Sequence, residues 1–167
     1  KQANINCNIY ISPPIQKINE RFVYNDQEIS DSSLAKLLLE VEEINNGDPI
    51  TYFEILTAAY FYGTKNFKDN INIIESGLFH RFDATNIINE NLASIITSIG
   101  LDHLDWLPKN EQTIEKIVFE KTSNLLSSNI VVAKQSSKKT LNLIKKNILN
   151  NKSNKIIFNE KYSYSVS

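Results

Sequence analysis

At 167 residues with a hydrophobic fraction of 41%, the chain is long enough to bury one ordinary core. Its 18 lysines and arginines nearly balance 19 aspartates and glutamates, so a formal net charge of -1 gives no reason to expect nucleic acid or an anionic membrane as a partner. No apolar run approaches the roughly 20 residues that span a bilayer, and the opening KQANINCNIY lacks a secretory apolar core, which predicts a cytoplasmic location. The single Cys7 has neither a disulfide partner nor metal-ligand spacing and reads as a small buried apolar residue. The absence of methionine predicts that the chain starts inside a longer protein.

In chain order, residues 8–11 (NIYI) read as a buried strand, broken at Ser12-Pro13-Pro14 because proline lacks an amide donor and restricts the residue before it. Residues 15–29, with Asn19-Glu20-Arg21 and the turn-like Asn25-Asp26, read as an excursion from the sheet containing a short hairpin. Ser30 and Asp31 are good N-caps, and Leu34, Leu37, Leu38, Val41 and Ile44 fall on one face of the helix that follows. NNGDP at 45–49 ends that helix, and TYFEILTAAYFY at 51–62 is apolar nearly all round, as in a helix buried between other elements.

Two β-branched runs follow. Ile71, Ile73 and Ile74 lead into Glu75; Ile95, Ile96 and Ile99 lead through Gly100 to Asp102 and His103. Such runs predict parallel strands buried on both faces, and in open α/β sheets ligands bind beyond the carboxyl ends of the strands. A glutamate and a histidine at neighbouring strand ends could be a divalent-metal pair, a general acid and base, or merely polar ends of buried strands. After a loop with Pro108, a helix carries Ile114, Ile117 and Val118 on one stripe, and Lys121 lies on the same stripe. Either its charge is held on the apolar side at a cost, or its stem snorkels past the core to solvent. A strand at 129–133, a helix at 137–150 with Leu141, Ile144 and Ile148 inward, and a strand at 155–158 complete an alternation that predicts an α/β fold, a parallel β-sheet flanked by helices. The lysines from Lys134 to Lys161 have a single aromatic, Phe158, among them and read as a solvated face.

ESGLxxRxDATN from Glu75 to Asn86, followed by ITSIGLDHxDWL from Ile96 to Leu107, resembles the central domain of the folylpolyglutamate synthase and dihydrofolate synthase family, in the Mur-ligase superfamily. Ser12-Pro13 with Asn19-Glu20-Arg21 is similar to the family's SPH...NER loop, Thr51 to Glu54 to its TYFE helix, and Glu120-Lys121 to the EK of its EKAGI segment. The resemblance covers residues 8–135. It implies an ATP-dependent ligase that joins glutamate to a folate-type carboxylate through an acyl phosphate, with Glu75 and His103 as Mg²⁺ ligands and Lys121 as a carbamylated lysine. It further implies that Ser12, Asn19, Glu20, Arg21, Asp83 and Asn86 shape the substrate side of the cleft.

The departures are equally specific. None of the four glycines precedes a lysine, so the family's GTNGKGS-type phosphate loop is absent from this sequence, and with it the usual means of holding ATP. Pro14 stands in place of a histidine, Phe79-His80 in place of a Gly-Gly pair, and Thr122-Ser123-Asn124 in place of Ala-Gly-Ile. His80 reads as a half-exposed loop histidine. The expected organisation is therefore an incomplete central domain over 1–158 with a polar tail at 159–167, lacking the C-terminal domain and inactive alone. Its phosphate loop would come from a missing segment or a separate partner. The rival expectation is a remnant or pseudoenzyme that binds a folate-like ligand or a protein without catalysis.

Overall fold

The computed structural model describes residues 5–88, 91–125, 129–149 and 155–158. The chain divides into two compact units, Lys1–Gly77 and Leu78–Ser167. Residues 159–167, expected as a polar tail, lie outside the described residues.

In the first unit, β1 (Cys7–Tyr10) is paired in parallel with β4 (Ile71–Ile74) and antiparallel with β2 (Phe22–Tyr24), which pairs antiparallel with β3 (Gln27–Glu28). The order is therefore β3-β2-β1-β4, and the excursion foreseen at 15–29 is the antiparallel hairpin at one edge. Asn25 and Asp26, both with positive φ, make its turn, a conformation that asparagine and aspartate tolerate better than most residues. Helices α1 (Asp31–Asn45) and α2 (Tyr52–Thr64) connect β3 to β4. Ser30 caps α1 by accepting from the Ser33 amide, and Thr51 and Glu54 form a reciprocal capping box on α2. Asn46 and Gly47, at φ 52° and 78°, end α1 in the left-handed region.

An aromatic core fills this unit: Tyr10, Phe22, Tyr24 and Tyr60 are buried with Leu34, Val41, Leu56 and Ala59. Tyr10 and Tyr24 each stack on Tyr60, with ring centroids 4.9 Å and 5.7 Å apart. The hydroxyls are satisfied: Tyr24 donates to the Tyr60 carbonyl at 3.1 Å and Tyr60 to Asn72 at 3.2 Å. Burial pushes both phenols well above their ordinary pKa. Gly63 lets α2 approach β2, because a Cβ there would overlap the Tyr24 hydroxyl. Cys7 is half-buried rather than buried, since its strand is covered by helix on one face.

In the second unit β5 (Ser94–Ile96), β6 (Asn129–Val132) and β7 (Lys155–Phe158) form a parallel sheet in that order. Helix α3 (Ile114–Thr122) precedes β6 and α4 (Lys138–Ile148) follows it, each capped by a hydroxyl, from Thr113 and Ser137. The core is aliphatic: Ile96, Ile130 and Val132 from the sheet, Ile117 and Val118 from α3, Ile144 and Ile148 from α4. The outward lysines of α4 are solvated, with Lys139 paired to Glu115 at 2.6 Å.

The apolar runs of β4 and β5 do not become strands buried on both faces. Ile71 and Ile73 are 37% and 52% exposed and Ile95 is 70% exposed. In each sheet the helices cover the face that carries the buried core residues, and alternation places these isoleucines on the other. Among the described residues, no helix is long and apolar enough to cross a membrane.

Candidate functional site

The parallel pairing of β1 and β4 brings their carboxyl ends together. Tyr10 and Ile74 are in register, the Glu75 amide donates to the Tyr10 carbonyl at 2.8 Å, and the Ser12 amide donates to Glu75 Oε2 at 2.7 Å. Ser12 is joined to Pro13 by a cis peptide bond. Glu75 is exposed and its second carboxylate oxygen has no partner among the described residues, so it can offer that oxygen to a cation.

The Asn19-Glu20-Arg21 triplet forms a single 3-10 turn at Ile18–Arg21. The Glu20 carboxylate accepts from the amides of Ile15 at 2.7 Å, Gln16 at 3.2 Å and Lys17 at 3.4 Å. These bonds, the one from Ile15 foremost, hold its carboxyl below the ordinary range. Asn19 is buried and donates to the Ile29 carbonyl at 3.0 Å and to Asp31 at 2.9 Å, tying the turn to the start of α1. Glu20 and Asn19 thus build the loop. Arg21 differs: it is 8% exposed, its Nε and Nη1 are buried without a hydrogen-bond partner, and its guanidinium lies 5.9 Å from the centre of the Phe53 ring. Of the three, it is the residue with donors still available.

The second unit gathers a different set. Lys121, in the last turn of α3, donates from Nζ to the Leu78 carbonyl at 2.8 Å and sits 5.7 Å from the centre of the Phe79 ring. Its stem does not snorkel to free solvent. Burial lowers its pKa, outweighing the carboxylates of Asp102 and Asp83, which act in the opposite sense. His103 has a left-handed backbone, φ 56°, and starts the 3-10 turn Leu104–Trp106. Its amide donates to Asp102 Oδ1 at 2.8 Å, its Nε2 lies 3.4 Å from Asp102 Oδ2, and its ring meets Phe79 edge-on with centroids 6.1 Å apart.

The loop carrying Phe79 is fastened to the end of α3. The amides of His80 and Arg81 both donate to the Glu120 carbonyl, at 3.2 Å and 3.0 Å. The Arg81 guanidinium forks onto the Glu120 carboxylate with two bonds of 2.8 Å, packed between the Phe82 and Phe119 rings. Glu120 also pairs with Lys116 at 3.2 Å. Burial alone would raise the Glu120 pKa, but the Arg81 and Lys116 partners override it and hold the carboxyl low. His80 is partly buried, and burial lowers its pKa. Asp83 accepts from the Thr85 amide at 3.0 Å, and Asn86 bonds back to Asp83 and Arg81 through the loop, so both knit the turn.

Lys121, His103 and Phe79 are therefore brought together, as are Ser12 and Glu75. Among the described residues no three histidine, cysteine, aspartate or glutamate side chains gather as a metal cage. The contact of Phe79 with both Lys121 and His103 was not read from the sequence, although two bulky residues in a predicted glycine position were the available signal.

No protein-family model matches the chain. The dihydrofolate synthase/folylpolyglutamate synthase of Escherichia coli is 34% identical over 112 residues, covering 67% of this chain and 26% of that protein. The enzyme of the same name from Bacillus subtilis is 33% identical over 153 residues, or 87% of this chain and 34% of its own length. Escherichia coli FolC, solved with ADP, superposes with a TM-score of 0.76 at 26% identity over 99% of this chain and 39% of that one. The chain is folylpolyglutamate synthase-like and has the Mur-ligase fold. It spans about a quarter to a third of the length of these two relatives.

Proposed function

We propose that this chain is the central portion of an ATP- and Mg²⁺-dependent carboxylate–amine ligase that adds glutamate to a folate-type substrate through an acyl phosphate, in the cytoplasm. The observation that carries the reading is Lys121, a half-buried amine on the apolar side of a short helix with its pKa lowered by burial. That environment increases the share of neutral amine, the form that attacks carbon dioxide. Its nitrogen lone pair forms an N–C bond, a C–O π pair moves to oxygen, and the amine proton leaves to solvent, giving a carbamate anion where a cation stood. Glu75 and His103 are each proposed as Mg²⁺ ligands, and Mg²⁺ would neutralise phosphate oxygens there. Arg21, with its available donors, is proposed to meet a carboxylate of the substrate. Ser12, Asn19, Glu20, Asp83 and Asn86 would hold the loops that shape its site.

The phosphate loop, absent from the sequence given, is proposed to come from another segment or partner, and the isolated chain is expected to show no glutamate ligation. The second reading is a remnant without catalysis. It is favoured by one feature, the Phe79 ring lying against the lysine where the family has glycine. A graft separates the two: this chain replaces the matched segment of the Bacillus subtilis relative. ATP- and Mg²⁺-dependent glutamate addition supports the ligase. A folded but inert graft supports the remnant, and turnover by the isolated chain overturns the account of the phosphate loop.

A further inference from the structure

Helix α1 runs out into a turn closed by two hydrogen bonds. The Asp48 amide donates to the Asn45 carbonyl at 3.1 Å, and the Asn45 side chain donates to the Asp48 carbonyl at 2.7 Å. Between them stand Asn46 and Gly47, both exposed and both left-handed, at φ 52° and 78°. Asn46 is the one asparagine of the chain that is followed by glycine, so no Cβ screens the peptide nitrogen beside its side-chain amide. That nitrogen, Gly47 N, donates to no group among the described residues, and nothing lies within 4 Å of where a Gly47 Cβ would stand. The hairpin turn supplies a contrast. Asn25 is also exposed and left-handed, at φ 51°, but the amide after it belongs to Asp26, carries a side chain beside it and is held by the Cys7 carbonyl at 3.0 Å.

We propose that Asn46 is a site of spontaneous modification, converted to aspartate or isoaspartate through the Gly47 nitrogen, and that the conversion opens the turn ending α1. Gly47 N loses its proton to base and forms a bond to Asn46 Cγ; the Cγ–Nδ2 bond breaks, and Nδ2 leaves as ammonia with a proton from water. Water then opens the cyclic imide. Addition at Cγ restores an ordinary backbone with an aspartate; addition at the main-chain carbonyl leaves isoaspartate, which routes the chain through Cβ and Cγ. Either product adds a negative charge where the helix already ends in partial negative charge, beside the exposed Glu42, Glu43 and Asp48 and with no basic residue in the last turn. Isoaspartate also lengthens the backbone inside the turn that the two bonds between Asn45 and Asp48 close. Cyclisation requires the peptide between Asn46 and Gly47 to rotate, which those bonds resist. The reaction therefore runs through local opening of the helix end and is slower in the fold than in the unfolded chain.

Incubation of the whole chain at mildly alkaline pH tests it, with peptide mass spectrometry reading the acid formed at each asparagine and chromatography separating aspartate from isoaspartate. Conversion at Asn46 is expected to exceed that at Asn25 by about tenfold, and to fall by about tenfold in Gly47→Ala. A side chain at φ 78° also strains the turn, so the same substitution is repeated in urea, where no fold contributes and the same fall is expected. Hydrogen exchange by NMR on the aged chain should show protection lost at the Asn46 and Asp48 amides and kept in α2. Conversion at Asn25 equal to that at Asn46, a rate in urea unmoved by Gly47→Ala, faster conversion in the fold than in urea, or an isoaspartate chain with both amides still protected would each overturn the proposal. None of these readings depends on ligase activity.

Discussion

The two units keep their polar residues in different ways. In the first, an aromatic core with satisfied hydroxyls supports loops whose polar groups are mostly bonded to backbone: Glu20 to three amides, Asn19 to the start of α1, one Glu75 oxygen to Ser12. In the second, beside an aliphatic core, ionic contacts around Glu120 join the side chain–backbone bonds of Asp83, Gln112 and Gln135, and the Lys121 amine faces the Phe79 ring. A polar residue in a family-like position can thus be part of the scaffold or remain available. Arg21, with two unpartnered nitrogens, and Glu75, with one unpartnered oxygen, are of the second kind among the described residues.

The largest effect that sharpens this contrast lies in the aromatic core. Tyr60→Ala is expected to destabilise by about 3–5 kcal/mol, whereas Tyr60→Phe, which loses only the bond to Asn72, should cost about 0.5–1.5 kcal/mol in denaturant titration. Similar costs for the two would contradict a core held mainly by ring packing. In the second unit, Glu120→Gln should cost about 2–3 kcal/mol, less than a fully buried pair, because the Arg81 side chain is 31% exposed. The Glu120 carboxyl is held low in the fold, so its contribution is present above the ordinary glutamate pKa and is lost as pH falls through the lower folded value. The acid limb of the wild-type stability profile should flatten in Glu120→Gln.

Gly63→Ala should cost about 1–3 kcal/mol through overlap with the Tyr24 hydroxyl, and Tyr24→Phe in the same chain should recover part of it. The smallest expected effects involve the available cations. Arg21→Met should raise stability by about 1 kcal/mol, since a largely buried guanidinium without a partner is exchanged for an apolar side chain of similar length. Lys121 acts on the alkaline side. Its folded pKa lies below the ordinary lysine value, so between the two the unfolded chain holds the extra proton and stability rises with pH. Lys121→Met should remove that rise, seen as a flatter melting temperature against pH.

Periodicity and turn chemistry made most of the fold legible. The stripe through Leu34, Leu37, Leu38 and Val41, the NNGDP stop and the Asn25-Asp26 turn appear where their residue types predict, whereas Ile44, in the last turn of α1, is 65% exposed. Helical spacing also put Lys121 on the apolar side of α3. What local pattern could not supply was the covering of each sheet, because the same β-branched run serves a strand packed on one face or on two; Ile71, Ile73 and Ile95 show the outcome. Nor could it show that Glu20 would be occupied by backbone amides, or that Phe79 would reach both His103 and Lys121, since those contacts depend on how loops close in space.

The most direct measurement for the central claim is carbon-13 NMR of the chain in labelled bicarbonate with Mg²⁺, with mass spectrometry under the same conditions. The account predicts a carbamate resonance and a bicarbonate-dependent mass increment that are present in the wild-type chain and lost in Lys121→Ala. No resonance in the wild-type chain, or one that survives Lys121→Ala, would contradict it.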